Sequence, residues 1–313
     1  MRRHPLATAA LAVAFCTLSV ATGTVANAKS PAGDINLAAQ TIPAAIGADP
    51  VPDSQHPARM AVLHIPTGGR TGHPVEINGV AYLASGAGPH PTLLLLHGLP
   101  GNEKNLDLAQ AVRRAGWNVV TMNYRGSWGS PGSFRFANNP EDAAAALAYL
   151  RDPARAQELG VDTGRLVIAG HSMGAWTAAH AAARDGKLAG LILISMGDIG
   201  IIAHLPHDKL VALAADNHES LAGVTPESMA KDIESHADAF ATAPLTARLT
   251  ATPLLALTSD DGLASHTDAL VAGIRAHGGT QISTAHAATD HGWSDHRVAL
   301  EAAVINWLQK LGN

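Results

Sequence analysis

One run in the chain has the residues for nucleophilic chemistry: Gly170-His171-Ser172-Met173-Gly174, which fits the pattern G-x-S-x-G. It follows a β-rich stretch, Arg165-Leu166-Val167-Ile168-Ala169, and opens an alanine-rich segment of helical character. In that context the pentapeptide is expected to form a sharp strand-to-helix turn. At positions 170 and 174 any side chain would run into neighbouring backbone, which is why both are glycine. The turn lifts the serine hydroxyl into the open and points the positive N-terminus of the helix at it. A serine that merely caps the helix is the plainer reading of the same residue. The rest of the chain must decide between them, because a hydroxyl is a weak nucleophile and needs a base.

The candidate base is His291, in Thr289-Asp290-His291-Gly292-Trp293, a loop between the last strand and the last helix. His286, at the end of that strand, and His296, expected inside the helix, are rivals that do not lie on the loop tip. An acid should orient the histidine and stabilise its charged form. Asp260 and Asp261 follow a strand at the C-terminal edge of the sheet, where sites of this kind assemble. Asp261 is preferred because it adjoins Gly262 at the turn. Asp198, after the preceding strand, is a third candidate, and any of the three can instead be a turn or helix-capping aspartate. A developing oxyanion needs two preorganised backbone donors. The amide of Met173, next after the serine, is one. The other is expected from His97-Gly98-Leu99-Pro100-Gly101, where Leu99 is the donor because Pro100 has no N–H. His97 reads as a structural loop residue. Serine, aspartate and histidine then follow one another in the order Ser172, Asp261, His291, and the chemistry they would do is acyl transfer without a cofactor.

The elements around these residues predict how they are positioned. Pro91–Leu96 is an apolar run of the kind that forms a strand buried on both faces, as in a parallel sheet covered by helices. Short strands are expected near Ala61–Ile65 and Val75–Ala84. After the apolar run, strands at Trp117–Tyr124, Leu166–Ala169, Leu188–Ile194, Pro253–Thr258 and Gln281–Ala285 alternate with helices at Asn105–Arg114, Pro140–Leu150, Ser172–Arg184, Asp268–His277 and Ser294–Leu311. This alternation predicts an α/β fold, a doubly wound and mostly parallel sheet. Residues 199–250 are too long for a simple crossover and carry helical patches at Asp208–Ala215 and Pro226–Phe240. They are expected to form a small helical cap over the site, since a connection of that length is usually functional. Trp128, Trp176 and Trp293 lie near the motifs and are candidates to line an apolar pocket.

With 313 residues, 47% of them hydrophobic and 15% charged, the chain can build one well-buried domain. Its formal charge of −5 argues against a nucleic-acid partner. Arg2 and Arg3, the apolar stretch Leu6–Val25 and Ala26-Asn27-Ala28 read as a secretory signal, residues 1–28, cleaved before Lys29; the alternative is an uncleaved N-terminal anchor, since the apolar stretch is about long enough to span a membrane. An exported protein, periplasmic or secreted, is therefore expected, with no stable membrane span after cleavage. Cys16, the one cysteine, falls inside the signal, so the mature protein is expected to have neither disulfide nor thiol nucleophile. Residues 29–58, with five scattered prolines, form a loose leader, and the domain occupies 59–313.

Taken together, His97-Gly98-Leu99-Pro100-Gly101-Asn102, Asn123-Tyr124-Arg125-Gly126-Ser127-Trp128-Gly129, Gly170-His171-Ser172-Met173-Gly174, Asp260-Asp261-Gly262 and Asp290-His291 resemble the α/β-hydrolase superfamily over about residues 60–311. More narrowly, they are similar to the catalytic domain of the prolyl-oligopeptidase and acylaminoacyl-peptidase group and to dienelactone-hydrolase-like esterases. The resemblance implies a serine hydrolase acting on a small ester or a short peptide, and Tyr124 as a further oxyanion donor. In prolyl-oligopeptidase relatives a large β-propeller stands where this chain has residues 29–58, and a glycine often stands where it has Ala175. A peptidase is therefore implied less strongly than an ester hydrolase. Two other classes compete: a metal-dependent hydrolase, for which His204-Leu205-Pro206-His207 is the nearest ligand pair but lacks H-E-x-x-H, and a non-catalytic binding module on the same fold.

Overall fold

The computed structural model describes residues 33–70 and 72–311, so the expected signal and Cys16 lie outside the described residues. The apolar runs of the sequence become eight strands among the described residues: β1 (Arg59–Thr67), β2 (Val75–Leu83), β3 (His90–Leu96), β4 (Asn118–Met122), β5 (Val161–His171), β6 (Gly190–Ile194), β7 (Leu254–Ser259) and β8 (Ile282–Ala287). They form one sheet in the order β1-β2-β4-β3-β5-β6-β7-β8. The β1–β2 and β2–β4 pairs are antiparallel, and every pair from β4 to β8 is parallel.

Strand β3 shows why the run Leu93-Leu94-Leu95-Leu96 is leucine throughout. Successive side chains of a strand point to opposite faces. Leu94 and Leu96 enter the core on one side of the sheet, and Leu93 and Leu95 enter the core on the other. Strand β5 divides in the same way, Leu166 and Ile168 against Val167 and Ala169.

Helices cover both faces. In chain order they are α1 (Ala44–Gly47), α2 (Leu106–Arg114), α3 (Asn139–Arg151), α4 (Pro153–Leu159), α5 (Met173–Asp185), α6 (Ile199–Ile202), α7 (His207–Ala215), α8 (Pro226–Ser235), α9 (Ala237–Phe240), α10 (Ala264–Ala276) and α11 (Arg297–Leu311). Apolar residues of α3, α5 and α10 share one core, and those of α2 and α11 share the other. The doubly wound, mostly parallel sheet expected from the sequence is what forms.

Between β6 and β7, residues 199–250 fold as α6 to α9 and a 3-10 turn at Ala243–Arg248. Leu210, Met229, Ile233 and Phe240 carry these helices into the α5-side core. The long helical patch expected over Pro226–Phe240 breaks at His236 into α8 and α9. The described part of the leader is docked rather than loose. Ile35 donates its N–H to Thr284 O on the edge strand β8, at 2.7 Å. Arg114 donates to the carbonyls of Ala45 and Ile46.

Candidate active site

The Ser172 turn owes its shape to steric exclusion. A Cβ at Gly170 would lie 2.1 Å from Gly174 C, and one at Gly174 would lie 2.4 Å from Leu96 O. The strand can enter the helix at this angle only with both side chains absent. Ser172 itself takes φ +57° and ψ −124°, a conformation that costs a non-glycine residue about 1–3 kcal/mol and is held only by its surroundings. Its N–H donates to Ile194 O at 2.9 Å, and its carbonyl accepts from Ala175, Trp176 and Gly197. From Leu166 to Ala183 every residue is buried except Ser172. Its side chain accepts no hydrogen bond from the helix that follows. Ser172 stands at the N-cap position without capping the helix through its hydroxyl.

His291 and Asp261 meet across the sheet edge. Asp261 Oδ2 accepts from His291 Nδ1 at 2.7 Å, with the carboxylate 2% and the imidazole 40% exposed. A carboxylate only accepts, so the proton sits on Nδ1 and Nε2 is left as the bare, basic nitrogen. Burial by itself would raise the Asp261 pKa. The hydrogen bonds from His291 and from the Leu263 amide outweigh burial and hold it at about 2, so the partner of His291 stays charged.

The rival side chains are occupied elsewhere. Asp260 points outward, 64% exposed, and pairs with His286 at 3.0 Å. His286 lies within β8, while His296, expected inside the last helix, sits in the turn before α11 and pairs with Asp295. Asp198 is a capping residue: it accepts from the Gly200 and Ile201 amides and from the Thr242 hydroxyl at 2.5 Å.

The loop carrying His291 is tied down from several sides. Arg297 donates to Gly292 O at 2.9 Å. The Trp293 indole N–H donates to Ser195 Oγ at 3.0 Å, and Ser195 Oγ lies 2.8 Å from Ser259 Oγ, all three side chains being buried. Trp293 and Ser195 both have positive φ, +59° and +47°, so backbone strain is concentrated beside Ser172, as at many functional sites.

The second loop, 97–101, lies directly against the elbow. A Cβ at Gly98 would stand 2.9 Å from Ser172 Cβ. Neither the Leu99 nor the Met173 amide donates to an acceptor among the described residues. His97 is buried and donates Nδ1–H to Gly98 O at 2.8 Å; desolvation pulls its pKa down to about 4, so it is neutral. Tyr124 corrects an expectation. It is fully buried, its hydroxyl donates to His97 O at 3.2 Å, and desolvation raises its pKa. Tyr124 thus supports the loop and is not an oxyanion donor. Of the three tryptophans, Trp176 and Trp293 are core residues with no exposed surface. Trp128 is 39% exposed and donates its indole N–H to Pro100 O at 2.7 Å.

Two residues near Ser172 were not singled out from sequence. Gly197 is buried close to the serine: a Cβ there would touch Leu263 Cδ1 at 3.7 Å, Ser172 Oγ at 3.8 Å and Ile202 Cδ1 at 3.9 Å. His171 fills a position that the G-x-S-x-G pattern leaves free, and its ring stands 4.6 Å from that of His291. No pattern marks Gly197. His171 was signalled only by its place beside the serine.

An eight-stranded, mostly parallel sheet in this order, helices on both faces and a serine raised on a strand-to-helix elbow define an α/β hydrolase. Residues 87–256, over half of the chain, match the family described as serine aminopeptidase, S33, and the chain belongs to that family of hydrolases. No curated protein matches the sequence. Among solved structures, the chain is similar to EstE1, a thermophilic and thermostable carboxylesterase cloned from a metagenomic library. The two are 24% identical, with a TM-score of 0.61 over 85% of this chain and 92% of that one. A similar likeness holds for brefeldin A esterase, a bacterial homologue of human hormone-sensitive lipase (19% identity, TM-score 0.57, 90% and 88% covered). It holds also for a puromycin-hydrolysing peptidase of Mycobacterium tuberculosis (19%, TM-score 0.60), of which 41% is covered against 84% of this chain. At these identities the likeness is one of fold.

Proposed function

We propose that this hydrolase cleaves carboxylic esters through an acyl-enzyme, with Ser172 as nucleophile, His291 as base and Asp261 as the acid that holds the histidine. The observation that carries this reading is the pairing of buried, charged Asp261 with His291 Nδ1, which leaves a basic Nε2 on a loop beside the one unburied residue of the elbow. Ser172 Oγ adds to the ester carbonyl while His291 Nε2 takes its proton. The amides of Leu99 and Met173 receive the oxyanion. The protonated histidine gives the proton to the departing alcohol. Water, activated by the same nitrogen, then releases the carboxylic acid and restores Ser172.

A fluorophosphonate probe, which reacts with an activated serine, tests this. The wild type should be labelled and Ser172→Ala should not. Equal labelling of both would remove Ser172 from the mechanism, and an unlabelled wild type would leave a binding module on a hydrolase fold.

The contacts around Gly197 suggest where the substrate's alkyl part lies. The ends of Ile202 and Leu263 face the same point as Ser172 Oγ, so a carbonyl bound over the serine places an aliphatic substituent between them. Ile202 comes from 199–250, the segment expected to form a cap. Gly197→Val should fill this space. For p-nitrophenyl esters, the ratio of kcat/KM for octanoate to that for acetate should fall by roughly 10–200-fold, the range for a methylene or so of lost pocket. An unchanged ratio would place the alkyl chain elsewhere. The family match favours short peptides as a second reading. Aminoacyl amides assayed beside the esters separate the two, and turnover of amides alone would make the enzyme a peptidase.

A further inference from the structure

We infer that His171, inside the nucleophile motif, is a positioning residue that sets the place of His291 by a hydrogen bond to the His291 backbone carbonyl. This rests on the reading of Ser172 and His291 above. His171 Nε2 lies 2.8 Å from His291 O. Among the described residues this is the hydrogen bond that joins the elbow 170–174 to the loop 289–293. A carbonyl oxygen only accepts, so Nε2 carries the proton and Nδ1 is bare. Nδ1 is buried and has no partner among the described residues.

The arrangement has a cost. A buried nitrogen without a partner forfeits its hydration and gains nothing in return. A phenylalanine of similar shape would fill the place without that loss. What the imidazole adds is one N–H directed at the backbone of the residue that must meet the serine. The ring is 5% exposed and tilted 43° against the His291 ring. Burial, and then the neighbouring His291 and Arg297, push its pKa down to about 4, while the His291 carbonyl and Asp261 act the other way. With a pKa of about 4 the ring is neutral at neutral pH. It therefore holds the loop without placing a second positive charge beside the imidazolium that forms in turnover.

Arg297 and Trp293 fix the far side of the loop, on Gly292 O and Ser195 Oγ. His171 holds the near side, and the residue that bears it is bonded to Ser172. Movement of the elbow and of the base are thereby linked through one side chain. Misplacement by about 1 Å can cost about 100-fold in rate, so the loss of this tie should appear in kcat.

The test compares His171→Gln, whose Nε2 can reach the same carbonyl, with His171→Phe, which keeps a ring and loses the donor. In ester hydrolysis, His171→Phe should lose about 10–100-fold in kcat with KM within about twofold. His171→Gln should recover most of that loss. Equal activity of the phenylalanine variant and wild type, or equal impairment of both variants, would overturn the role of the hydrogen bond. A second measurement does not depend on turnover: 15N-histidine NMR of the wild type. It should show His171 as the neutral Nε2–H tautomer from pH 7 to about pH 5, and an Nδ1–H tautomer would sink the proposal even if Ser172 hydrolysis were fully established. Conversely, an inactive wild type with the Nε2–H tautomer would refute the hydrolase reading and leave the contact intact.

Discussion

Asp261→Asn should lower kcat/KM for a good ester substrate by about 10⁴-fold, while Asp260→Asn should change it by less than about fivefold, since an exposed ion pair is worth at most about 1 kcal/mol. The two residues are adjacent in sequence and opposite in environment. The Asp261 carboxylate is 2% exposed, accepts His291 Nδ1–H at 2.7 Å and is steadied by the Leu263 amide at 2.8 Å. Asparagine can keep the bond from Leu263, so the turn should still form. It brings an NH₂ group toward Nδ1, however, and can bind the tautomer whose proton lies on Nε2, which is not a base. It also removes the negative charge that stabilises the imidazolium. Both losses fall on the transition state, so kcat should carry them and KM should move little. Asp260, 64% exposed, holds only His286. Matched melting temperatures for the two variants would confirm that folding is not the variable. Should Asp260→Asn be the inactive one, the acid has been misassigned.

That sequence favours Asp261 over Asp260 only through its place beside Gly262 has a physical cause. In a tight turn, consecutive side chains point in different directions, and only the position of the opposing loop decides which of them is buried. The serine was more legible because its signal is local: a β-rich strand, two glycines that a Cβ would bring within 2.1–2.4 Å of backbone, and a helix after them. The sheet was legible for the same reason, since Leu93–Leu96 can only be a strand covered on both faces. Contacts between distant segments left little trace. Tyr124 lies in a motif that resembles an oxyanion donor, yet its hydroxyl turns to His97 O. Trp176 and Trp293 lie near motifs in sequence and are core in space. The prolines of residues 29–58 suggest a loose leader, but Ile35 finds an unpaired carbonyl on β8. His171 is the strongest case, because its partner lies 120 residues further along the chain.

Acidification should unfold this protein well above the usual carboxylate range, because three histidines are buried neutral. His97, His171 and His180 are each pushed down to about pKa 4, chiefly by desolvation. An unfolded chain binds these protons near pH 6.5. Between about pH 6.5 and 4 it therefore holds more protons than the native state, so stability falls as pH falls through that window and levels off below it. From pH 7 to 4.5 each histidine should withdraw about 2 kcal/mol, or roughly 6 kcal/mol for the three. That approaches the whole stability of a typical domain, about 5–15 kcal/mol. Asp142, Asp232 and Glu301, whose pKa values burial raises, oppose the trend, since they bind protons more readily when folded. Asp261, held at about 2, surrenders its contribution only as pH drops from about 4 toward 2, below the histidine window. The measurement is the urea midpoint at pH 7 and at pH 4.5, with His180→Gln as control. His180 donates Nε2–H to Phe240 O at 3.1 Å; glutamine can make that bond and cannot titrate. It should remove about a third of the pH dependence while leaving stability at pH 7 nearly unchanged. A wild-type midpoint that does not move between the two pH values would show that the buried histidines are not held neutral.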